Sequence, residues 1–352
     1  VTSPQDIVLD MRSDTITRPT AAMRRAMADA EVGDDVLQDD FTTKRFEAAV
    51  AERLGKEAAL FFPSGTMANQ AAIWVLSTPG TEIYVDAESH VVHSEVAGAA
   101  ALCGVQVRPV RGAGLVMTAA DIEASVRTPN ADAPEASLVC FENTHNGAGG
   151  VVTSLAALQA IRAVADRHKL PLHLDGARLW NAAAASGTSL AEFAACADTV
   201  MVSFSKGLGA PIGACLAGPQ DVILRARRVR KRFGGGMRQS GIITAAAHHA
   251  LEHHLGRIAE DHEAAKYLGN LVHGVGGAKV VPPDSNILMI DLPTPRAAAV
   301  VQRAAELGLR VGVWTPTRVR AVTHLDAPLA KVAEYGPRLA QALSDVLALP
   351  VS

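Results

Sequence analysis

From about residue 56 the chain alternates between short apolar runs and segments whose apolar residues fall at helical spacing. AALFF, TEIYVDA, VQVRPV, SLVCFEN, PLHLD, TVMVSF and ACLAG have the length and apolarity of strands. TMANQAAIWVLS, SEVAGAAALCG and SLAALQAIRAVADRHK lie between them and read as helices, and a further helical stretch follows PLHLD. Near-continuous apolar strands alternating with helices predict an α/β domain with a mostly parallel sheet covered on both faces. Ligands of such sheets bind beyond the carboxyl ends of the strands.

The flanking segments differ. Residues up to about Thr17 read as an arm with a short strand, IVLDM. Pro19 is expected to open a helix, TAAMRRAMADA, because proline suits a first turn. An acidic loop, VGDDVLQDD, precedes a second helix, FTTKRFEAAVAERLG, that should be capped by Gly55. After about residue 255 come a long polar helix, strands KVV and NILMIDL, helix TPRAAAVVQRAAELG, strands RVGVW and RVRAVTHL, and a last helix. This predicts an arm (1–18), a large domain (19–255) and a smaller α+β domain (256–352). No internal repeat or low-complexity tract is evident.

Bulk composition narrows the function. A chain of 352 residues, 49% hydrophobic, can build two cores. A net charge of −3 gives no support to a general nucleic-acid or membrane role. No stretch approaches the roughly 20 apolar residues of a membrane span. The segment VTSPQDIVLDMRSD carries early acids and does not resemble a signal peptide. Cys103, Cys140, Cys196 and Cys215 are far apart and each lies in an apolar stretch. Four reduced, buried thiols are expected, consistent with a cytoplasmic location.

Two places carry distinctive chemistry. Lys206 follows the apolar run TVMVSF and is surrounded by small residues, in SFSKGLGAPIG. Burial disfavours the ammonium and leaves a nucleophilic amine. Asp175 ends PLHLD on the same strand face as His173, and Arg178 follows one turn later. An acid there can hold a protonated ring nitrogen, so the pair points to a lysine–aldehyde linkage with pyridoxal phosphate. Each also has a plainer reading: a loop lysine, and a strand-end Asp paired with Arg178. Gly207, Gly209 and Gly213 miss the dinucleotide fingerprint by one residue, and Pro211 interrupts the helix it requires. Pro63-Ser64-Gly65-Thr66 joins a strand to a helix, as phosphate binding demands, although a simple capped turn has the same pattern. His90 lies just beyond TEIYV, where an imidazole could stack on a ring, relay a proton or serve structure alone.

Two further features have plainer explanations than a binding site. RARRVRKR (225–232) forms the basic face of an amphipathic helix, expected to be solvated or to meet another subunit rather than nucleic acid. His248, His249, His253 and His254 lack a carboxylate or cysteine to complete a metal set, so no metal is expected.

The segments MRSDTITRPT, VGDDVLQDD, FFPSGTMANQ, ESHVVHSEVAG, ENTHNGAGG, HLDGARLWNA, SFSKGLGAPIG, RARRVRKRFGGGMRQSG and RAVTHLD closely resemble, in order, those of the low-specificity L-threonine aldolases. These are fold type I enzymes that use pyridoxal 5′-phosphate. The resemblance runs from about Leu9 to the C-terminus. It implies that Lys206 carries the cofactor, Asp175 pairs with its ring nitrogen, and His90 stacks on the ring. Gly65, Thr66 and Ser205 match phosphate contacts. Arg178 matches a residue for the substrate carboxylate or ring hydroxyl, and Ser13 and Arg320 match a carboxylate-binding pair. Lys231 and Arg238 match basic positions near the site, where a neighbouring subunit reaches in. It further implies a homotetramer, a dimer of dimers with shared active sites, that splits a β-hydroxy-α-amino acid into glycine and an aldehyde. β-Elimination, transaldolation or transamination would use the same lysine and aspartate. One position departs from the family. Its second active-site histidine, shortly before ENTHN, aligns with Asp132, which could still accept a hydroxyl proton.

Overall fold

The computed structural model describes residues 8–112, 114–128 and 130–348. Thirteen strands occur among them. In chain order the first seven are β1 (Leu9–Asp10), β2 (Ala58–Phe62), β3 (Glu82–Asp86), β4 (Gln106–Val110), β5 (Ala136–Glu142), β6 (Leu172–Gly176) and β7 (Thr199–Ser203). The rest are β8 (Ala214–Gly218), β9 (Lys279–Val280), β10 (Ile287–Asp291), β11 (Leu309–Arg310), β12 (Gly312–Thr315) and β13 (Arg318–Val322). The chain divides into two compact units. One holds Pro19–Ser205 with Ala210–Leu255. The other holds the arm up to Arg18, the short segment Lys206–Gly209, and the chain from Gly256 onward.

The larger unit is built on a seven-stranded sheet of order β2-β8-β7-β6-β5-β3-β4. β4, β3, β5, β6 and β7 run parallel, whereas β8 is antiparallel to both β7 and β2. β3, β6, β7 and β8 are buried along their whole length, which is why their sequences are almost continuously apolar. Helices Gly65–Leu76 and Gln220–Arg232 share one core with β2 and β8, including Leu60, Phe62, Ala68, Ala72, Val222 and Ala226. Large aromatics are few and concentrated. Phe46, Phe61, Phe204 and Trp180 form a chain of ring contacts, with Phe46 and Phe204 4.9 Å apart at an edge-on angle.

The smaller unit has a four-stranded antiparallel sheet, β12-β13-β10-β9, and a parallel pair, β1 with β11. Leu288, Ile290, Val319 and Ala321 point into the same core as Leu268, Val272, Val300 and Leu343 of the covering helices. Ile287, Met289 and Val322 form a separate cluster, as alternation along a strand requires.

Local signals account for most boundaries. Helix Phe41–Leu54 starts at Asp40, whose carboxylate accepts from Thr43 N, and ends at Gly55 with φ +60°. The helix after Pro19 begins later than expected, at Ala21, because Thr20 is the cap and its hydroxyl accepts from Met23 N. The segment SEVAGAAALCG is helical only over Gly98–Cys103. A single turn, His90–His93, is separated from Gly98–Cys103 by Val96 and Ala97, both with positive φ. Helix Ala119–Ser125 was not expected, because it has no long apolar stripe; its Thr118/Asp121 capping box marks its start.

The basic helix differs most from expectation. Arg230 is buried, pairs with Asp35 of the acidic loop, and donates to Phe61 O at 2.7 Å. Arg227 lies 3.4 Å from Asp35 and 3.3 Å from Glu47. The acidic loop and basic helix therefore neutralise one another within the chain. Glu47 also accepts from Phe61 N at 2.8 Å. Burial pushes the Glu47 carboxyl up to about 7, despite the opposing pull of the Phe61 N–H and the two arginines.

A carboxyl raised in the folded state favours folding most when protonated. Its contribution is full below the usual carboxylate range and is lost as pH climbs toward 7, by about 3 kcal/mol in all. Thermal unfolding followed from pH 5 to 8 should show wild type losing stability relative to Glu47→Gln as pH rises. Parallel curves would refute this assignment.

Candidate active site

The carboxyl ends of β3, β5, β6 and β7 lie along one edge of the larger sheet. Register places Glu142 of β5 beside Asp175 of β6, and Asp175 beside Met201 of β7. Because β8 runs antiparallel to both neighbours, Ala214 pairs with Ser203 on one side and Phe62 on the other. The turn after Phe62 and the chain after Ser203 therefore emerge at the same edge. The first carries Gly65 and Thr66, the second Ser205.

Asp175 is 3% exposed. Its Oδ1 accepts from Ala177 N at 3.0 Å and its Oδ2 from Asn69 Nδ2 at 2.8 Å. The same Asn69 nitrogen donates to Glu95 Oε1 at 2.9 Å. Glu95 Oε1 also meets His90 Nδ1 at 2.9 Å, and Glu95 Oε2 accepts from Gln70 Nε2 at 2.6 Å. On its other side, Asn69 Oδ1 lies 3.1 Å from His173 Nε2, and His173 Nδ1 lies 2.8 Å from Thr199 Oγ1. Burial pushes the His173 imidazole down to about 4, so the ring is neutral.

A second layer positions the surrounding loops. Glu142 Oε2 accepts from His90 N and Oε1 from Asn146 N, both at 2.8 Å. Asn146 Oδ1 accepts from Arg178 Nη1 at 3.2 Å. Burial, then the neighbouring Asp175, raise the Glu142 carboxyl above its usual range. His145 Nε2 is 3.1 Å from Asp86 Oδ1, an ion-pair distance without hydrogen-bond alignment. Burial opposes the His145 cation, but Asp86 and the nearby carboxylates outweigh it and the net shift is upward. Trp180 Nε1 donates to Ser203 O at 2.8 Å, fixing the end of β7.

The residues at this edge fit pyridoxal phosphate. An ionised carboxylate offers about four lone-pair positions, so Asp175 keeps acceptor capacity for a ring N–H. Helix Gly65–Leu76 presents its N-terminus here. Ser64 Oγ caps Met67 N, and the N–H groups of Gly65 and Thr66 have no intrahelical acceptor. A Cβ on Gly65 would sit 3.3 Å from Met201 Cε, a tight contact that the end of the methionine side chain would have to yield to. His90, Glu95 and Asp175 offer ligand atoms within 4.8 Å of one another, the one such metal-type grouping among the described residues. Asn69 already donates to both of its carboxylates.

The structure thus brings together Asp175 and His90 through Asn69 and Glu95, with Gly65, Thr66, Ser205 and Arg178 on elements ending at the same edge. In the smaller unit, Thr17 Oγ1 donates to Lys206 O at 2.9 Å, and Arg257 donates to Gly207 O at 3.4 Å. Ser13 caps the turn Asp14–Ile16. Arg320, on β13, has its guanidinium 5.2 Å from the Trp314 ring centre. Val322 N donates to Met11 O at 2.8 Å, tying the arm to β13. Lys231 and Arg238 are exposed and share no hydrogen bond or ion pair with the Asp175 group among the described residues. Arg238 instead pairs with Asp34 at 3.0 Å. Asp132 occupies an exposed turn four residues before β5, at the amino end of the strand, so one chain does not bring it to His90.

Sequence reasoning missed Asn69, Gln70, Glu95, Glu142 and Asn146 as site residues. One signal was available: Asn69 and Gln70 are adjacent amides inside the otherwise apolar helix MANQAAIWVL.

Comparison with known proteins agrees with this geometry. The family model for the beta-eliminating lyases matches residues 10–294. Low-specificity L-threonine aldolase 1 of Arabidopsis thaliana is 39% identical over 325 residues, covering 90% of this chain and 91% of that one. The low specificity L-threonine aldolase of Escherichia coli K12 is 38% identical over 328 residues, covering 93% and 97%. The crystal structure of a putative L-allo-threonine aldolase from Listeria monocytogenes superposes with a TM-score of 0.82, at 26% identity and 97% coverage of both chains. With its strand-end aspartate, its glycine-led helix and relatives matched over nine-tenths of its length, this chain belongs to the beta-eliminating lyase family, among the low-specificity L-threonine aldolases.

Proposed function

We propose that this protein uses pyridoxal 5′-phosphate to cleave a β-hydroxy-α-amino acid of the L-threonine or L-allo-threonine type into glycine and an aldehyde. The observation that carries the reading is the buried Asp175 carboxylate, held open toward the sheet edge by Asn69 and Ala177. Bound pyridoxal phosphate supplies a protonated ring able to accept the electron pair released when Cα–Cβ breaks. Asp175 keeps the proton on the ring nitrogen. The N–H groups of Gly65 and Thr66, with the Thr66 and Ser205 hydroxyls, receive the phosphate. Lys206 would hold the cofactor aldehyde through its amine.

The remaining roles follow from charge. Ser13, Arg178 and Arg320 would bind the substrate carboxylate through its negative charge and so orient the amino acid. His90 is the better candidate to take the β-hydroxyl proton, because Glu95 stands behind its Nδ1 and stabilises the imidazolium. Asp132 belongs to a shared site only if another chain supplies it. A tetramer of paired dimers, with Lys231 and Arg238 reaching a neighbour's site, is supported by exposed apolar side chains on residues 32–41. Leu37 is 72% and Phe41 63% exposed. A cytoplasmic location is supported by four unpaired, buried cysteines. No described helix is long and apolar enough to cross a membrane.

Incubation with L-threonine should release glycine and a trappable aldehyde in equal amounts; absence of both would overturn the activity. The purified protein should be yellow and lose that colour with borohydride. Lys206→Ala should lack the borohydride-sensitive band and the activity. Assayed on the four threonine stereoisomers, Asp132→His should change the ratio between L-threonine and L-allo-threonine if Asp132 faces the substrate hydroxyl of a neighbouring site. An unchanged ratio removes Asp132 from the reaction.

A further inference from the structure

Asn69 occupies an unusual electrostatic position. Its side chain is surrounded by two buried carboxylates and one neutral buried histidine. The hydrogen-bond pattern fixes its orientation. Asp175 Oδ2 and Glu95 Oε1 are acceptors, so the amide nitrogen must face them, using both of its N–H groups. The carbonyl then faces His173, which must carry its proton on Nε2, leaving Nδ1 to accept from the Thr199 hydroxyl. Every donor in the series points one way: Thr199 to His173, His173 to Asn69, and Asn69 to both carboxylates.

We infer that Asn69 is a positioning residue that couples the carboxylate serving the cofactor ring, Asp175, to the carboxylate behind the stacking imidazole, Glu95. Two carboxylates sharing a small buried space repel one another unless donors lie between them. Asn69 supplies one N–H to each. It therefore fixes the placement of both at once, and through them what the ring nitrogen and His90 meet. His173 and Thr199 act behind it, because a neutral histidine donating to the carbonyl polarises the amide and strengthens both N–H donors. Gln70 secures the far oxygen of Glu95. The sharp turn at Val96 and Ala97 follows directly, where a continuous helix would carry the Glu95 side chain elsewhere.

The inference rests on the assignment of Asp175 to the ring nitrogen, and the two are tested apart. Cofactor affinity and the pH dependence of the bound cofactor's visible absorption are measured for wild type, Asn69→Ala, Asn69→Asp, Asp175→Asn, and Asn69→Ala combined with Glu95→Gln. Asn69→Ala is expected to bind pyridoxal phosphate roughly tenfold or more weakly and to show a new pH dependence between pH 6 and 9. Adding Glu95→Gln removes the competing charge and should restore much of both. A purely structural role predicts no such rescue. If Asn69→Ala does not fold, Asn69→Asp keeps the shape but replaces the N–H donors with a further acid, and should shift the spectrum in the same direction. In the cofactor-free protein, NMR titration of His90 should also move when Asn69 is replaced. Wild-type affinity, spectrum and His90 titration in a folded Asn69 variant would overturn the inference while Asp175→Asn still disturbs the cofactor. An Asp175→Asn protein with unaltered cofactor affinity and spectrum would overturn the Asp175 assignment itself.

Discussion

A carboxylate buried inside the larger unit is the constraint on which this site depends. Asp175 is almost completely buried, and a buried anion without donors would take up a proton or destabilise the fold. The surroundings supply those donors from the Ala177 backbone and the Asn69 amide, which in turn is held by a histidine and a threonine. Asn69, His173 and Thr199 are themselves buried and hydrogen-bonded, so the orientation of one side chain fixes the next. The helix Gly65–Leu76 has two tasks in consequence. Its first turn faces the sheet edge with open N–H groups, and its next residues, Asn69 and Gln70, organise the carboxylates behind that edge.

The loops at that edge obey the same rule. Glu142 ties the His90 segment to the segment carrying Asn146, and Asn146 holds Arg178. An acid at a strand end thus replaces secondary structure as the organiser of two loops, giving them definite positions without a regular hydrogen-bond ladder. The acidic loop and basic helix follow a related pattern elsewhere in the same unit. Asp35 and Glu47 absorb Arg227 and Arg230, so a run that looks like a polyanion-binding face is partly an internal ion-pair network.

Much of the fold was legible because its causes are local. Apolar strands such as TVMVSF and PLHLD, the cap at Asp40 and the glycine at position 55 each determine an element within a few residues. Strand-end position alone marked Asp175, and a strand–turn–helix pattern marked Gly65 and Thr66. The break at Val96 and Ala97 was not legible. Alanine-rich sequence favours a helix there, and only the buried contacts of Glu95 with Asn69, Gln70 and His90 accompany the break. Burial of Arg230 was likewise hidden, because its partner Asp35 is almost two hundred residues away in the chain.

The sequence by itself pointed to the class of chemistry, since a lysine after one apolar strand and an acid at the end of another are local facts about residue type and order. It also determined the strand–helix alternation that makes the carboxyl edge a binding edge. Tertiary structure decided which polar residues serve that acid. Asn69, Glu95 and His173 come from a helix, a loop and a strand distant in sequence, and their roles arise from hydrogen-bond geometry that no spacing along the chain encodes. It also decided where Asp132 lies, because a strand carries its preceding turn to the opposite edge of the sheet.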